Sequence, residues 1–199
     1  MADERPDKLE ITDPRQLEAI TSARRQDILD RLAAYGPLSI RELADQVGAR
    51  PSALYHHIQR LTEVGLVVEA GTRTRRRKRE QLYNTPSPQM RLLDALTCPE
   101  NAEWMVEIVG AQSRQMVRDF RAGLASPAAV AEGERRNQAF FRLLGRPTPQ
   151  QLERINACVL ELIELLYQSN DPDSPLIALS LVMSPLDGAG TDDAETSDS

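Results

Sequence analysis

The 199-residue chain is 41% hydrophobic but only 4% aromatic, enough for one large or two small domains with cores of Leu, Ile, Val and Ala. Its net charge of -6 belongs to the second half: Lys and Arg number 15 against 13 acids in residues 1–90, but 9 against 17 in residues 91–199, so the overall acidity does not exclude a polyanionic partner for the first half. No apolar run nears the ~18–20 residues of a membrane span, no apolar stretch follows the charged N-terminus, and two distant cysteines form no disulfide framework; a membrane or disulfide-stapled secreted protein is excluded and a cytoplasmic one expected.

Residues 1–12 are polar and read as a flexible N-terminus. Asp13-Pro14 is an N-cap followed by an N1 proline, opening a short helix that turns Leu17 and Ile20 inward. Thr21-Ser22 offers a second cap, and a helix over about 23–35 presents Ile28, Leu29 and Leu32 before Gly36-Pro37 stops it. Ser39-Ile40-Arg41-Glu42 is a capping box, in which the serine oxygen accepts from the Glu42 amide and the glutamate reaches back. Ile40, Leu43, Ala44 and Val47 then keep one helical face apolar, and Gly48 ends that helix. After Ala49-Arg50, Pro51 starts a helix to about Val64 that buries Leu54, Ile58 and Leu61, and Gly65 closes it.

Two strand-like runs follow, Leu66 to Ala70 and Gln81 to Thr85. Between them lie six cations in seven positions: Arg73, Arg75, Arg76, Arg77, Lys78 and Arg79. Capped helix, short turn, second helix, glycine, strand, basic loop and strand is the order of a winged helix-turn-helix. The basic loop is its wing, placed to neutralise phosphates.

Ile28-Leu29 with Leu32, Leu38 to Ala44, Leu54-Tyr55-His56-His57-Ile58-Gln59-Arg60-Leu61 and Glu63 to Val67 together resemble the ArsR-like (arsenical-repressor-like) family of bacterial regulators over roughly residues 15–85. The resemblance implies a homodimer that binds a palindromic operator and is switched by a ligand. Metal-sensing members carry paired cysteines on the first helix of the helix-turn-helix; here that helix reads Arg41-Glu42-Leu43-Ala44-Asp45-Gln46-Val47 and has none. His56 and His57 are adjacent, so on a helix they point about 100° apart and do not chelate one ion together. No metal and no cofactor are expected. Cys98 and Cys158 read as small buried apolar residues.

In the second half, Pro86-Ser87-Pro88 is a stiff joint and a candidate boundary. A short connecting helix is expected over 89–97, a long one from Pro99 to about Leu124, and a short one from Pro127 to about Gly133. Gln138 to Leu144 continues a helix or forms a strand, with strand preferred, pairing with a strand over Leu176 to Met183. Thr148-Pro149 caps a helix to about Ser169 that carries Leu152, Ile155, Val159, Leu162, Ile163 and Leu166; apolar on most of its circumference, it should be buried on two sides, with a partner subunit as the second. The acidic tail 186–199 has the composition of a disordered segment.

The expected fold is mainly α (α+β): a winged helix-turn-helix over 13–86 with a two-stranded wing, then a helical dimerisation and effector region over 87–185 with one or two short strands. The outer face of the 51–64 helix presents Ser52, Tyr55, His56 and Gln59 to the major groove of double-stranded DNA, flanked by Arg41 and Arg50, with the wing cations over phosphates. Trp104, Met105, Ile108, Met116 and Phe120 either line a pocket for a small-molecule effector or are plain core. No Ser/His/Asp or Cys/His arrangement and no phosphate-cradling glycine loop nominates an enzyme. The expected function is therefore a dimeric transcriptional regulator; the alternative, a winged-helix protein-interaction module, leaves the six wing cations without a purpose.

Overall fold

The computed structural model describes residues 5–169, 171 and 173–186. Helix α1 (Pro14–Ile20) starts at Asp13, whose carboxylate accepts from the Arg15 amide at 2.8 Å. Helix α2 (Ala23–Tyr35) ends at Gly36, whose φ of 75° favours glycine. Strand β2 (Leu38–Ser39) runs directly into helix α3 (Ile40–Gln46). The Ser39 hydroxyl accepts from the Glu42 amide, and Glu42 Oε2 accepts from the Ser39 amide at 3.0 Å, so both halves of the expected capping box are made. Helix α4 (Pro51–Glu63) follows the turn. Leu17, Ile28, Leu32, Leu43, Leu54, Leu61 and Leu66 are fully buried in one core, as the spacing of apolar residues on each helix requires. At the end of α4 the Leu61 carbonyl accepts from the amides of Leu66 and Val67 at 2.9 and 3.2 Å, which turns the chain back across the core.

Strands β3 (Val68–Arg75) and β4 (Lys78–Asn84) form an antiparallel hairpin, and β4 also pairs with β2, in the order β2-β4-β3. Glu69 faces Tyr83 and Thr72 faces Gln81, so Ala70 and Gly71 together oppose Leu82 in a β-bulge. Gly71 has φ 91° there, and its carbonyl accepts from Gln81 Nε2 at 2.9 Å. The basic run, expected as a loop, is mostly strand: Arg73 pairs with Glu80, Thr74 with Arg79 and Arg75 with Lys78. Only Arg76 and Arg77 form the turn.

Two expectations for the flanks are corrected. Residues 8–10, placed in a flexible N-terminus, form strand β1 (Lys8–Glu10), parallel to β5 (Gln89–Arg91). The pairing continues through the Ile11 amide to the Arg91 carbonyl at 2.8 Å. The segment 89–97, expected as a helix, is β5 followed by the one-turn helix α5 (Leu93–Leu96). Pro86-Ser87-Pro88, expected as a stiff joint, is anchored in place: Thr85 and Ser87 are fully buried, and the Ser87 hydroxyl exchanges hydrogen bonds with the Gln89 backbone. A strand partner supplied from the far end of the segment leaves no mark on local periodicity.

A 3₁₀ turn at Pro99–Asn101 leads into α6 (Ala102–Leu124), which lies against α1 and α2 through Ile108, Ala111 and Gln115. Gln26 Nε2 donates to the Ile108 carbonyl at 3.1 Å, and Gln115 Nε2 to Asp27 Oδ1 at 3.1 Å. Asp27 is buried and also meets Arg24 and Arg31, so its charge is compensated. Helix α7 (Pro149–Gln168) has its own capping box from Thr148 and Gln151, but no residue of it is buried and only Val159, Ile163 and Leu166 are half-buried, so the described residues do not enclose it on two sides. The expected helix over 127–133 and the strands over 138–144 and 176–183 are absent. No strand pairing forms along the 138–144 or 176–183 segment, and a short strand without a hydrogen-bonded neighbour is not stable by itself. Cys98 is half-buried and Cys158, on α7, is exposed, rather than both being core. The acidic tail from 187 onward lies outside the described residues.

His57, on the inner flank of α4, has a buried Nδ1 with no hydrogen-bond partner. Its ring lies 3.8 Å from that of His56, closer than the angular spacing of adjacent helix positions suggests. Burial, then His56, then Arg25 and Arg24 depress its pKa from 6.5 to about 4. His57 is therefore neutral when folded but takes a proton when unfolded, so it removes stability as pH falls from 6.5 towards 4. His57→Gln should flatten the decline in unfolding free energy over that window in urea titrations at stepped pH. An unchanged slope would place the acid sensitivity elsewhere.

Candidate nucleic-acid interface

Pro51 at N1 and the inward leucines of α4 set the rotation of that helix, and so decide which side chains look outward. With Leu54, Ile58 and Leu61 in the core, Ser52, Tyr55, His56 and Gln59 are exposed, Tyr55 by 61%. The Gln59 amide donates to Glu63 Oε1 at 3.0 Å one turn on, which holds it along the helix surface. Arg41 on α3 and Arg50, the N-cap of α4, are exposed as well. Arg50 makes no side-chain cap, and a helix N-terminus without one presents amide hydrogens to an anion. The structure thus gathers Ser52, Tyr55, His56 and Gln59 on one outer face and leaves it uncovered.

The wing is set by a residue read from the sequence only as a cap. Glu42 Oε1 accepts from Arg73 at 2.5 Å and lies 3.7 Å from Arg75, while its Oε2 serves the Ser39 amide and hydroxyl. Partial burial pushes the Glu42 carboxyl up, but the Ser39 amide, the Arg73 guanidinium and the Ser39 hydroxyl outweigh it and hold it below the ordinary carboxylate range. Glu80, across the hairpin, adds a second carboxylate 4.0 Å from Arg73. Two of the six wing cations are thereby engaged internally, and a third, Arg79, donates through Nε to Thr72 Oγ1 at 3.1 Å. Among the described residues no carboxylate pairs with Arg76, Arg77 or Lys78, and all three are exposed.

Arg76 and Arg77 have φ of 48° and 65°. Two consecutive residues at positive φ between paired strands make the turn that matches strand twist, a place where Asn-Gly is the favoured pair. Each non-glycine residue held there costs about 1–2 kcal/mol. The hairpin thus ends in two strained arginines where unstrained residues were available, and the strain buys two unpaired guanidinium groups at the tip.

The five residues expected at an effector pocket divide. Ile108 is buried in the core, and Trp104 and Met105 pack against it. Met116 and Phe120 instead line a broad cleft of about 930 Å³ between the end of α6 and the segments around Phe140 and Ile177. Core membership for the first three follows from α6 lying on α1 and α2, a contact that stripe periodicity cannot assign to one side of a helix. No group of three or more His, Cys, Asp or Glu side chains converges as a metal site among the described residues. No helix there is long and apolar enough to cross a membrane.

Residues 21–70 match the family model described as a helix-turn-helix domain, the span from the cap of α2 through α3 and α4 into β3. Among solved structures, the chain is similar to the crystal structure of RV1404 from Mycobacterium tuberculosis, with 16% identity over 75% of this chain and 82% of that one and a TM-score of 0.29. It is also similar to the X-ray structure of the YusO protein from Bacillus subtilis, with 14% identity over 76% of this chain and 83% of that one and a TM-score of 0.28. No curated protein is significantly similar to the chain. The matched segment is a helix-turn-helix, a DNA-binding unit, and the hairpin that follows it is the wing.

Two variants, one single and one double, separate the parts of this surface. Glu42→Gln keeps an N3 side chain able to complete the capping box but removes the charge that holds Arg73 and Arg75. It should steepen the salt dependence of binding to random duplex by up to ~0.9 per released cation, read as log K against log salt by fluorescence anisotropy. An unchanged slope would mean that both arginines already leave Glu42 for phosphate. Replacing Arg76 by Asn and Arg77 by Gly together should raise unfolding free energy by ~1 kcal/mol or more while weakening binding to every duplex and lowering the slope by about 1.8. Stabilisation with undiminished binding would remove the turn from the interface.

Proposed function

We propose that the protein is a cytoplasmic, sequence-specific transcriptional regulator of the ArsR-like winged-helix type. Residues 13–86 read DNA and residues 87–185 dimerise the chain and hold an effector. In this reading α4 enters the major groove. Gln59 pairs with adenine after releasing Glu63, Ser52, Tyr55 and His56 contact bases or phosphates, and Arg41 and Arg50 grip the flanking backbone. Arg76, Arg77 and Lys78 carry the sequence-independent affinity, joined by Arg73, Arg75 and Arg79 as phosphates compete for them. The observation that carries the reading is the uncovered outer face of α4 beside a strained hairpin tip whose cations have no internal carboxylate.

A homodimer with two-fold symmetry places its two recognition helices about 34 Å apart, so the operator is an inverted repeat. The effector is a small non-metal ligand, and the cleft beside Met116 and Phe120 has the volume and apolar lining for one. The wing cations argue against a purely protein-docking winged helix.

Selection of bound sequences from a random duplex pool at physiological salt tests the reading. Enrichment of an inverted repeat with half-sites about one helical turn apart is the expected outcome. Binding without enrichment would overturn sequence-specific regulation and leave the wing as a nonspecific anchor.

A further inference from the structure

Helix α7 is the longest described element with no buried residue. Leu152, Ile155, Val159, Leu162 and Leu166 follow one another at spacings of three and four, the a and d positions of a heptad. On that register the e and g positions, including Gln151, Asn156, Cys158, Ile163 and Leu165, carry no charge. Every ionised residue of the helix, Glu153, Arg154, Glu161 and Glu164, falls at b, c or f. The sequence therefore divides the helix into a charged outer side and an uncharged seam. Yet Leu152, Ile155 and Leu162 are 41%, 42% and 39% exposed, and Val159 and Leu166 only half-buried.

The chain exposes 15287 Å², against about 9,400 Å² expected for a compact protein of its 22.2 kDa mass. That excess is shared between the irregular segments 125–148 and 173–186, exposed along nearly all of their length, and the apolar side of α7.

We propose that the α7 seam is the dimer interface and that its occupant is the α7 seam of a second copy, packed across the two-fold axis. This deepens the proposed function, resting on its dimer, by assigning the surface. The seam suits itself. Neither copy brings a charge to the a, d, e or g positions, so no like charges meet in a buried zone, and homodimer interfaces are the apolar kind. A three-four spacing sets two such helices crossing at about 20°, in contact along their full length.

The test is the mass of the full chain without DNA, by light scattering across a dilution series. Wild type should weigh twice 22.2 kDa. Val159→Glu and Leu162→Glu should each raise the dimer dissociation constant by about a hundredfold or more, since each puts two uncompensated charges in the seam, and Val159→Ala by about tenfold. Leu160→Glu is the control: Leu160 is apolar and 61% exposed but lies at b, and this variant should stay dimeric. Circular dichroism should show the same thermal transition for the winged helix throughout, because α7 contributes nothing to the buried core. A monomeric wild type at micromolar concentration overturns the proposal, and so does a dimer indifferent to Val159 and Leu162. A monomer would take the inverted-repeat operator with it, whereas a dimer indifferent to these residues would leave that operator standing; DNA contact by α4 and the wing is judged separately by the wing variants.

Discussion

The carboxylate of Glu42 is where the helix-turn-helix and the wing become one object. One oxygen completes the capping box at Ser39, and the other holds Arg73 and Arg75. A capping interaction contributes about 1 kcal/mol and an exposed ion pair less. The value of the arrangement lies in geometry more than in energy. Ser39 is both the end of β2 and the cap of α3, and β2 is hydrogen-bonded to β4. A single side chain thus ties the start of the first helix of the motif to the sheet from which the wing projects. The bulge at Ala70 and Gly71 lies between that anchor and the tip, and bends the outer hairpin relative to its base.

The charge distribution follows from this constraint. An acidic chain holding six cations in seven positions would repel itself across the hairpin, and Arg75 does sit opposite Lys78. Glu42 and Glu80 offset the inner end of the run, leaving the outer end positive. The tip combines unpaired charge with backbone strain at Arg76 and Arg77, a combination that folding alone gives no reason to keep.

The second half divides at Leu124. Helix α6 belongs to the core of the first half, fastened by Ile108 and Ala111 and by the Gln115–Asp27 hydrogen bond. Beyond it, the chain gains no buried residue through α7. Asp27 matters here because a buried carboxylate is tolerated only with partners, and those it has come from α2 itself and from α6. The same polar contact that satisfies α2 therefore sets where the second half begins.

Local signals were enough for the helix-turn-helix. Caps at Asp13 and Ser39, prolines at 14 and 51, stops at Gly36, Gly48 and Gly65, and the inward spacing of Leu54, Ile58 and Leu61 each act within a turn or two of the backbone. The exposed face of α4 followed from the same spacing, because fixing the buried side of a helix fixes the other. What depends on residues far apart in sequence was decided only by the tertiary structure. The pairing of β1 with β5, the burial of Ser87, the second task of Glu42 and the division of Trp104, Met105 and Ile108 from Met116 and Phe120 all belong there. Periodicity reports that a face is apolar; only packing decides what lies against it.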